Sequence, residues 1–313
     1  MSPAPANLNC ILLNACGAAY NILPGTCTYV ADPVYSPNVP YTQAPQSACG
    51  GTALINAATV GQCPFGIVVA FRGTLPPAKN DPDSLFDWLQ DFFAVPTSCT
   101  SGPNKIPGQV HSGFFDATTS IIQTVANLIK GYKPSAANPV YVTGHSKGGA
   151  MASIGAYILG ENLEIPNIQP LMTFASPKPG DINFHAGFQK FFDQTRYENY
   201  QDIVPLLPPG IEFSNLVVST AKLAHGVGAN PAGNKLASLF QSAEDWNYVP
   251  VGDQLFITSS YQVIANEPLE EQIWDVVKEF GEDLWKCDFS SFVNAHILKP
   301  GCGYNSGVCG AKP

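Results

Sequence analysis

Charge is what this sequence has least of. Lysine, arginine, aspartate and glutamate make up 12% of its 313 residues, and the balance is acidic, with 15 basic side chains against 24 acidic ones and a formal net charge of −9. No basic cluster occurs, so no nucleic-acid partner is expected and nothing draws the chain to an anionic membrane. No run of 18 apolar residues occurs either, and no transmembrane segment is expected. The first residues do not read as a secretory leader: no lysine or arginine precedes Arg72, and Asn14 and Asn21 interrupt the apolar run from Ile11 to Leu23. The sequence therefore reads as a mature form behind an added Met1. No Cys-x-x-Cys pair is present, which leaves little for a zinc site.

What the chain does have is apolar bulk and cysteine. At 45% hydrophobic residues it can bury one large α/β core, and residues 1–313 are expected to form a single domain. Nine cysteines, at 10, 16, 27, 49, 63, 99, 287, 302 and 309, gather toward the two ends. That distribution points to disulfides and an oxidising, extracellular compartment, with one cysteine left over.

The remaining features are organised around Val140 to Ala150. Val140, Tyr141 and Val142 are strand formers, and from Ala150 to Ala156 the residues are small and helix-tolerant. Between them, Gly144-His145-Ser146-Lys147-Gly148 has the spacing of a nucleophile elbow. In such a turn the serine backbone is strained, and glycines leave room where strand and helix cross. The turn lifts Ser146 Oγ out of the sheet and sets the Lys147 amide at a helix N-terminus, where a developing oxyanion is favoured. Alone the pentapeptide is a weak signal, arising by chance in about one ordinary 300-residue chain in ten. The alternative is a glycine-rich turn with an exposed serine.

Other segments supply the frame. Ile67 to Phe71 is a continuous apolar run, as a strand buried on both faces requires, and it ends in Arg72-Gly73-Thr74. Pro170 to Ala175 and Arg196 to Tyr200 read as further strands, and Gln254 to Thr258 as the last. Leu12, Leu13, Cys16, Ala19 and Tyr20 fit one face of a first helix, and a single helix ended by Gly131 is expected after His111. Leu269, Ile273, Val276, Val277, Phe280 and Leu284 form a stripe opposite an acidic face and are expected to dock on the body. Strands alternating with helices predict a doubly wound, mostly parallel sheet flanked by helices. Ser84 to Phe93 predicts a short helix with too many apolar side chains for one face; Phe86, Trp88, Leu89 and Phe92 either pack inward or form the underside of a lid. Lys222 to Ala243 reads as an insertion.

A serine attacking an ester carbonyl needs a base, and a carboxylate to orient that base. Asp202 follows a strand end directly and is the candidate acid. Of the five histidines, His145 lies within the elbow, its side chain expected to point away from that of Ser146. His111 and His185 precede Asp202, against the Ser, Asp, His order of this fold. His225 follows Asp202 too closely to leave chain for an intervening strand, and stands as the alternative to His296, the chosen base.

Taken together these motifs resemble the class 3 lipases, the filamentous-fungal type of α/β-hydrolase. Val142 to Gly149 resembles their nucleophile segment, with Lys147 where a leucine is usual. Phe71-Arg72-Gly73-Thr74 resembles the segment carrying their oxyanion residue, which places that role on Thr74. Asp87 to Asp91 falls where their lid helix lies. His111 to Phe114, Pro177 to Asp181 and Asp202 to Pro209 are similar to further segments, and Ala295-His296 with Gly303 to Cys309 looks like their terminal histidine segment. In that family a first-helix cysteine is joined to a cysteine of the terminal segment, which implies a Cys16–Cys309 bond here.

The resemblance implies an α/β-hydrolase fold with a short lid helix, and a secreted serine carboxylester hydrolase, expected to be a triacylglycerol lipase. Ser146 would be the nucleophile, His296 the base and then the acid, and Asp202 its orienting carboxylate. The amides of Thr74 and Lys147 would hold the oxyanion, and Phe86, Trp88, Leu89 and Phe92 would meet an acylglycerol or other ester at a lipid–water interface. No metal or organic cofactor is required. A feruloyl or other soluble carboxylesterase, or a non-catalytic lipid-binding relative, are the alternatives.

Overall fold

The structure, a computed structural model, describes residues 5–75, 88–210, 213–215, 219, 238, 240–241, 246–286, 290–301 and 303–310, excepting the side chains of 280–286, 290 and 292. Its centre is an eight-stranded sheet. The strands are β1 (Gln46–Gly50), β2 (Asn56–Cys63), β3 (Gly66–Phe71), β4 (Val140–His145), β5 (Leu171–Phe174), β6 (Gln194–Asn199), β7 (Asp253–Ile257) and β8 (Val263–Ala265). The helices are α1 (Leu8–Ala19), α2 (Ser112–Thr119), α3 (Ile122–Gly131), α4 (Lys147–Tyr157), α5 (Ile182–Phe188), α6 (Leu269–Lys286), α7 (Ser290–His296) and α8 (Gly303–Cys309). Strands β3 to β7 run parallel, with antiparallel pairs at both edges.

The α/β sheet flanked by helices is present, but its winding differs from the expected one. A doubly wound sheet reverses its strand order partway, whereas here order across the sheet follows order along the chain. Right-handed crossovers that always step the same way put their helices on one face. Accordingly Phe114 of α2, Val125 of α3, Met151 of α4 and Phe184 of α5 share one apolar cluster with Ile67, Val69 and Phe71 of β3. The other face is covered by the ends of the chain: Leu12, Cys16 and Ala19 of α1 and Tyr304 of α8 pack with Val68 and Ala70. The period-two alternation of β3 divides its side chains between the two clusters, which is why all six of its residues are buried. Truncating Phe71 to alanine would cost about 3–5 kcal/mol.

Two further expectations are corrected. The helix after His111 is broken in two, because Thr118, Thr119 and Ser120 turn their hydroxyls back onto the carbonyls of Phe114, Phe115 and Ala117 and end α2 before α3 restarts. Gln254 to Thr258 is not the last strand: a turn with Tyr261 at φ 61° returns the chain, and the β-branched Val263 and Ile264 add β8 along β7. On α6, Ile273, Val276 and Val277 dock as expected, while Leu269 and Trp274 are exposed.

Cys10, not Cys16, is joined to Cys309, and a second disulfide links Cys27 to Cys49. The two candidate cysteines of α1 point about 120° apart at about 100° per residue. Cys10 faces α8, while the Cys16 thiol lies 3.3 Å from Thr143 Oγ1 of β4, where burial pushes it up to about 12. Cys63 and Cys99 are also free. Cys287, Cys302, Phe86, His225 and most of Lys222 to Ala243 lie outside the described residues. Among the described residues no helix is long and apolar enough to cross a membrane.

Candidate active site

Strand β4 delivers the chain to Ser146, which sits at φ 59° and ψ −137° before α4 begins at Lys147. A non-glycine residue at positive φ is strained, and here the surroundings hold it in place. The Ser146 amide donates to the Phe174 carbonyl of β5 at 3.0 Å, and its carbonyl accepts from Gly149 at 2.7 Å. The two flanking glycines are required by contact: a Cβ at Gly144 would meet the Gly148 carbonyl, and one at Gly148 the Phe71 carbonyl of β3. Ser146 is wholly buried, and its Oγ has no hydrogen-bond partner among the described residues. An unsatisfied buried hydroxyl is uncommon enough to need a reason, and a reserved reaction site is one.

Asp202 follows β6 and is buried. Its Oδ1 accepts from the Val204 amide at 3.0 Å and its Oδ2 from the Tyr304 hydroxyl at 2.6 Å. Burial, then the Asp202 charge, push the Tyr304 phenol far above its ordinary range, so this hydroxyl keeps its proton and donates it. His296 Nδ1 lies 3.0 Å from Oδ2 and 3.1 Å from Oδ1. A carboxylate accepts, so Nδ1 carries the proton and Nε2 keeps the ring's lone pair. His296 ends α7, and the last two carbonyls of that helix receive side-chain donors from the sheet. Asn199 Nδ2 of β6 reaches the Ala295 carbonyl at 2.8 Å, and His145 Nε2 of β4 reaches the His296 carbonyl at 2.8 Å.

Thr74 comes off the end of β3, and its Oγ1 is buried and unpartnered. A Cβ at the preceding Gly73 would meet Ser146 Cβ, so this loop lies directly against the Ser146 turn. Burial raises the Asp91 carboxyl, against the opposing pull of the Lys147 charge and of the facing Thr74 hydroxyl. The Lys147 side chain runs to Asn56, its Nζ 3.3 Å from Oδ1, while the Lys147 amide stays at the start of α4. Burial lowers the Lys147 ammonium, with Asp91 opposing the shift.

Of the expected lid residues, Trp88, Leu89 and Phe92 are buried. The Trp88 ring stands edge-on to His296 at 5.1 Å and to Phe92 at 5.2 Å, and Phe92 stands against Phe114. Trp88, Thr74, His145 and His296 line a cavity of about 320 Å³ together with Gly17, Tyr20 and Tyr35. Ser146, Asp202, His296 and Thr74 thus gather at one end of the sheet, although Ser146 Oγ and His296 are not hydrogen-bonded in this conformation. Tyr304, Asn199 and Tyr20 were not singled out as site residues from the sequence. A tyrosine next to glycine in a terminal segment gives no sign of burial, and only the tertiary contact reveals its role.

The fold is that of an α/β-hydrolase. Residues 68–212 match the family model for lipase (class 3), and the chain is a relative of the class 3 lipases. The lipase of Rhizomucor miehei is 33% identical over 148 residues, covering 46% of this chain and 38% of that protein. Phospholipase A1-II 7 of rice (Oryza sativa subsp. indica) is 30% identical over 179 residues, covering 46% of this chain and 41% of that protein. The chain thus spans less than half the length of these two relatives. Among solved structures, MDLA from Penicillium cyclopium aligns over 98% of this chain and 99% of its own, with a TM-score of 0.60 at 17% identity.

Proposed function

We propose that the chain is a serine hydrolase of lipid carboxylic esters, a triacylglycerol lipase in the first reading, working through an acyl-enzyme. The observation that carries this is a strained, buried Ser146 with an uncommitted hydroxyl, at a helix N-terminus beside a buried His296–Asp202 pair. Ser146 Oγ attacks the ester carbonyl as its proton passes to His296 Nε2, while Asp202 holds the other ring nitrogen. The tetrahedral oxyanion is met by the amides of Lys147 and Thr74 and by the Thr74 hydroxyl, which makes no well-formed hydrogen bond in the resting state. His296 then protonates the departing alcohol, and water repeats the sequence to release the acid.

Trp88, Leu89 and Phe92 form the described part of a lid. In this conformation Trp88 covers the base, and opening would turn these apolar side chains toward lipid. Two disulfides favour an oxidising, extracellular setting. Phospholipid acyl esters are the second reading, because one relative is a phospholipase A1.

The test is a rate profile across emulsified triacylglycerol, phosphatidylcholine vesicles and a soluble feruloyl ester, with mass-spectrometric mapping of an organophosphonate adduct. Labelling at Ser146 with rates that rise above the solubility limit of the ester is expected. Rates confined to the soluble phenolic ester would make it a feruloyl-type esterase, and failure to label Ser146 would remove the mechanism.

A further inference from the structure

His145 is the residue of the nucleophile turn that the mechanism above leaves without a task, and both of its ring nitrogens are occupied. The ring is buried. Its Nε2 lies 2.8 Å from the His296 main-chain carbonyl and its Nδ1 2.7 Å from the Tyr20 hydroxyl. A carbonyl can only accept, so Nε2 carries the hydrogen; Nδ1 then holds a lone pair and must accept from Tyr20. These two contacts fix the tautomer without appeal to any other group. Burial holds the ring neutral, pulling it well below 6.5, with the neighbouring His296 ring, 4.7 Å away, adding to the effect.

The partners are what give the arrangement a consequence. His145 is bonded in sequence to Ser146, so its side chain starts from the nucleophile turn. The carbonyl it reaches belongs to His296 and closes α7. Tyr20 follows the last residue of α1, and its hydroxyl lies against Gly73, the residue before Thr74. One neutral imidazole therefore links the main chains at the nucleophile, the base and the oxyanion loop; β3 and β4 pair as far as Phe71 and Gly144, but no strand pairing reaches the base.

We propose that His145 is a positioning residue: held as the Nε2–H tautomer by Tyr20, it pins the main chain of His296 to the nucleophile turn and so sets the reach of the base. This rests on the reading of Ser146 and His296 given above. The residue exchanges no proton with substrate. Its loss displaces the base, and a displacement of about 1 Å can cost about 100-fold in rate.

The test has two arms. In ring-nitrogen NMR spectra of the ¹⁵N-labelled full chain, the His145 signals, assigned by their loss in His145→Gln, should show a protonated Nε2 and an unprotonated Nδ1 unchanged from pH 5 to 8. On a short soluble ester, His145→Phe should lower kcat about 100-fold with KM within about twofold. His145→Gln, whose amide N–H can reach the same carbonyl, should recover to within about tenfold of the parent. Tyr20→Phe should lower kcat about tenfold and add nothing in the His145→Phe background, since both act through one linkage. A titrating or Nδ1–H ring would overturn the proposal, as would equal kcat losses for Phe and Gln that follow their melting temperatures. Should His145→Phe not fold, the spectra and Tyr20→Phe decide. Failure of the parent to take an organophosphonate at Ser146 would count against the mechanism, while the spectra would still report the linkage itself.

Discussion

On one face of the sheet, α2 to α5 connect consecutive strands, and each helix packs beside the strands it joins. On the other, α1 and α8 come from opposite ends of the chain and meet through a disulfide that spans 299 residues. The first face assembles from sequence neighbours and closes short loops; the second closes almost the whole chain. The proposed catalytic groups straddle this divide. Ser146 and Asp202 stand on strand ends, whereas His296 arrives on α7, immediately before α8. Its place depends on donors from Asn199 and His145 and on the carboxylate it shares with Tyr304. The proposed nucleophile and base therefore have separate supports, and a perturbation can remove one while sparing the other.

The largest effect should come from the groups themselves. Ser146→Ala and Asp202→Asn are each expected to lower kcat by about 10⁴-fold. Their stabilities should diverge. Ser146→Ala removes a hydroxyl that has no partner, so its melting temperature should hold or rise. Asp202→Asn disturbs the acceptor shared by His296, Tyr304 and Val204, and should cost about 3 kcal/mol. Equal melting temperatures for the two variants would mean that Asp202 does not join the two faces.

The disulfides compare the faces directly. Cys10→Ser releases the long loop, for which chain entropy assigns about 6 kcal/mol as an upper figure, whereas Cys27→Ser releases a loop worth about 3 kcal/mol. In Cys10→Ser, activity should fall on heating before the far-UV signal, because α7 and α8 loosen while the strands stay paired. In Cys27→Ser the two should fall together. Coincident curves in both variants would show that the terminal face is no more separable than the wrap.

The same divide explains what could be read from the sequence. The crossover face was legible because its signals are local: the apolar run of β3, the glycines around Ser146, and the strand before Asp202 each announce themselves within a few residues. The likeness of residues 68–212 to the class 3 lipases was legible for the same reason. Strand order was not, because alternation of strands and helices is the same for a sheet that reverses and one that does not. The disulfide partner was missed by under two helical turns, since Cys10 and Cys16 both lie on α1 and only the packing of α8 distinguishes them. Tyr20, Asn199 and Tyr304 carry no local mark, because each acts through a partner about 100 or more residues away.

Acid should test the crossover face. His111 caps α2 by accepting the Phe114 amide on Nδ1 at 3.2 Å, and it stacks on the Phe114 ring. Burial lowers it from 6.5 to about 4. Between these values the unfolded chain binds the proton and the folded chain does not. The contribution is thus fully present above pH 6.5 and lost as pH falls, by about 3 kcal/mol at pH 4. His145, also lowered, adds in the same direction. His111→Asn keeps an acceptor for the cap but does not titrate, so its melting temperature should fall less steeply from pH 7 to 4. Parallel curves for parent and variant would exclude His111 as the source.

The smallest expected effect falls where the faces meet. The loop of Gly73 and Thr74 leaves β3, touches Tyr20 from the terminal side, and lies against Ser146. Thr74 Oγ1, like Ser146 Oγ, is buried without a partner, so both represent stability forgone in the resting state. If that hydroxyl is reserved for the oxyanion, its contact forms only as charge develops on the substrate. Thr74→Val should then lower kcat about 100-fold and leave KM nearly unchanged, while Thr74→Ser restores most of the rate. Thr74→Val should also melt no lower than the parent, because the methyl that replaces the hydroxyl strands no hydrogen bond. A raised KM with kcat intact would instead make Thr74 a ground-state binding residue, and a lowered melting temperature would mean that its hydroxyl serves the fold.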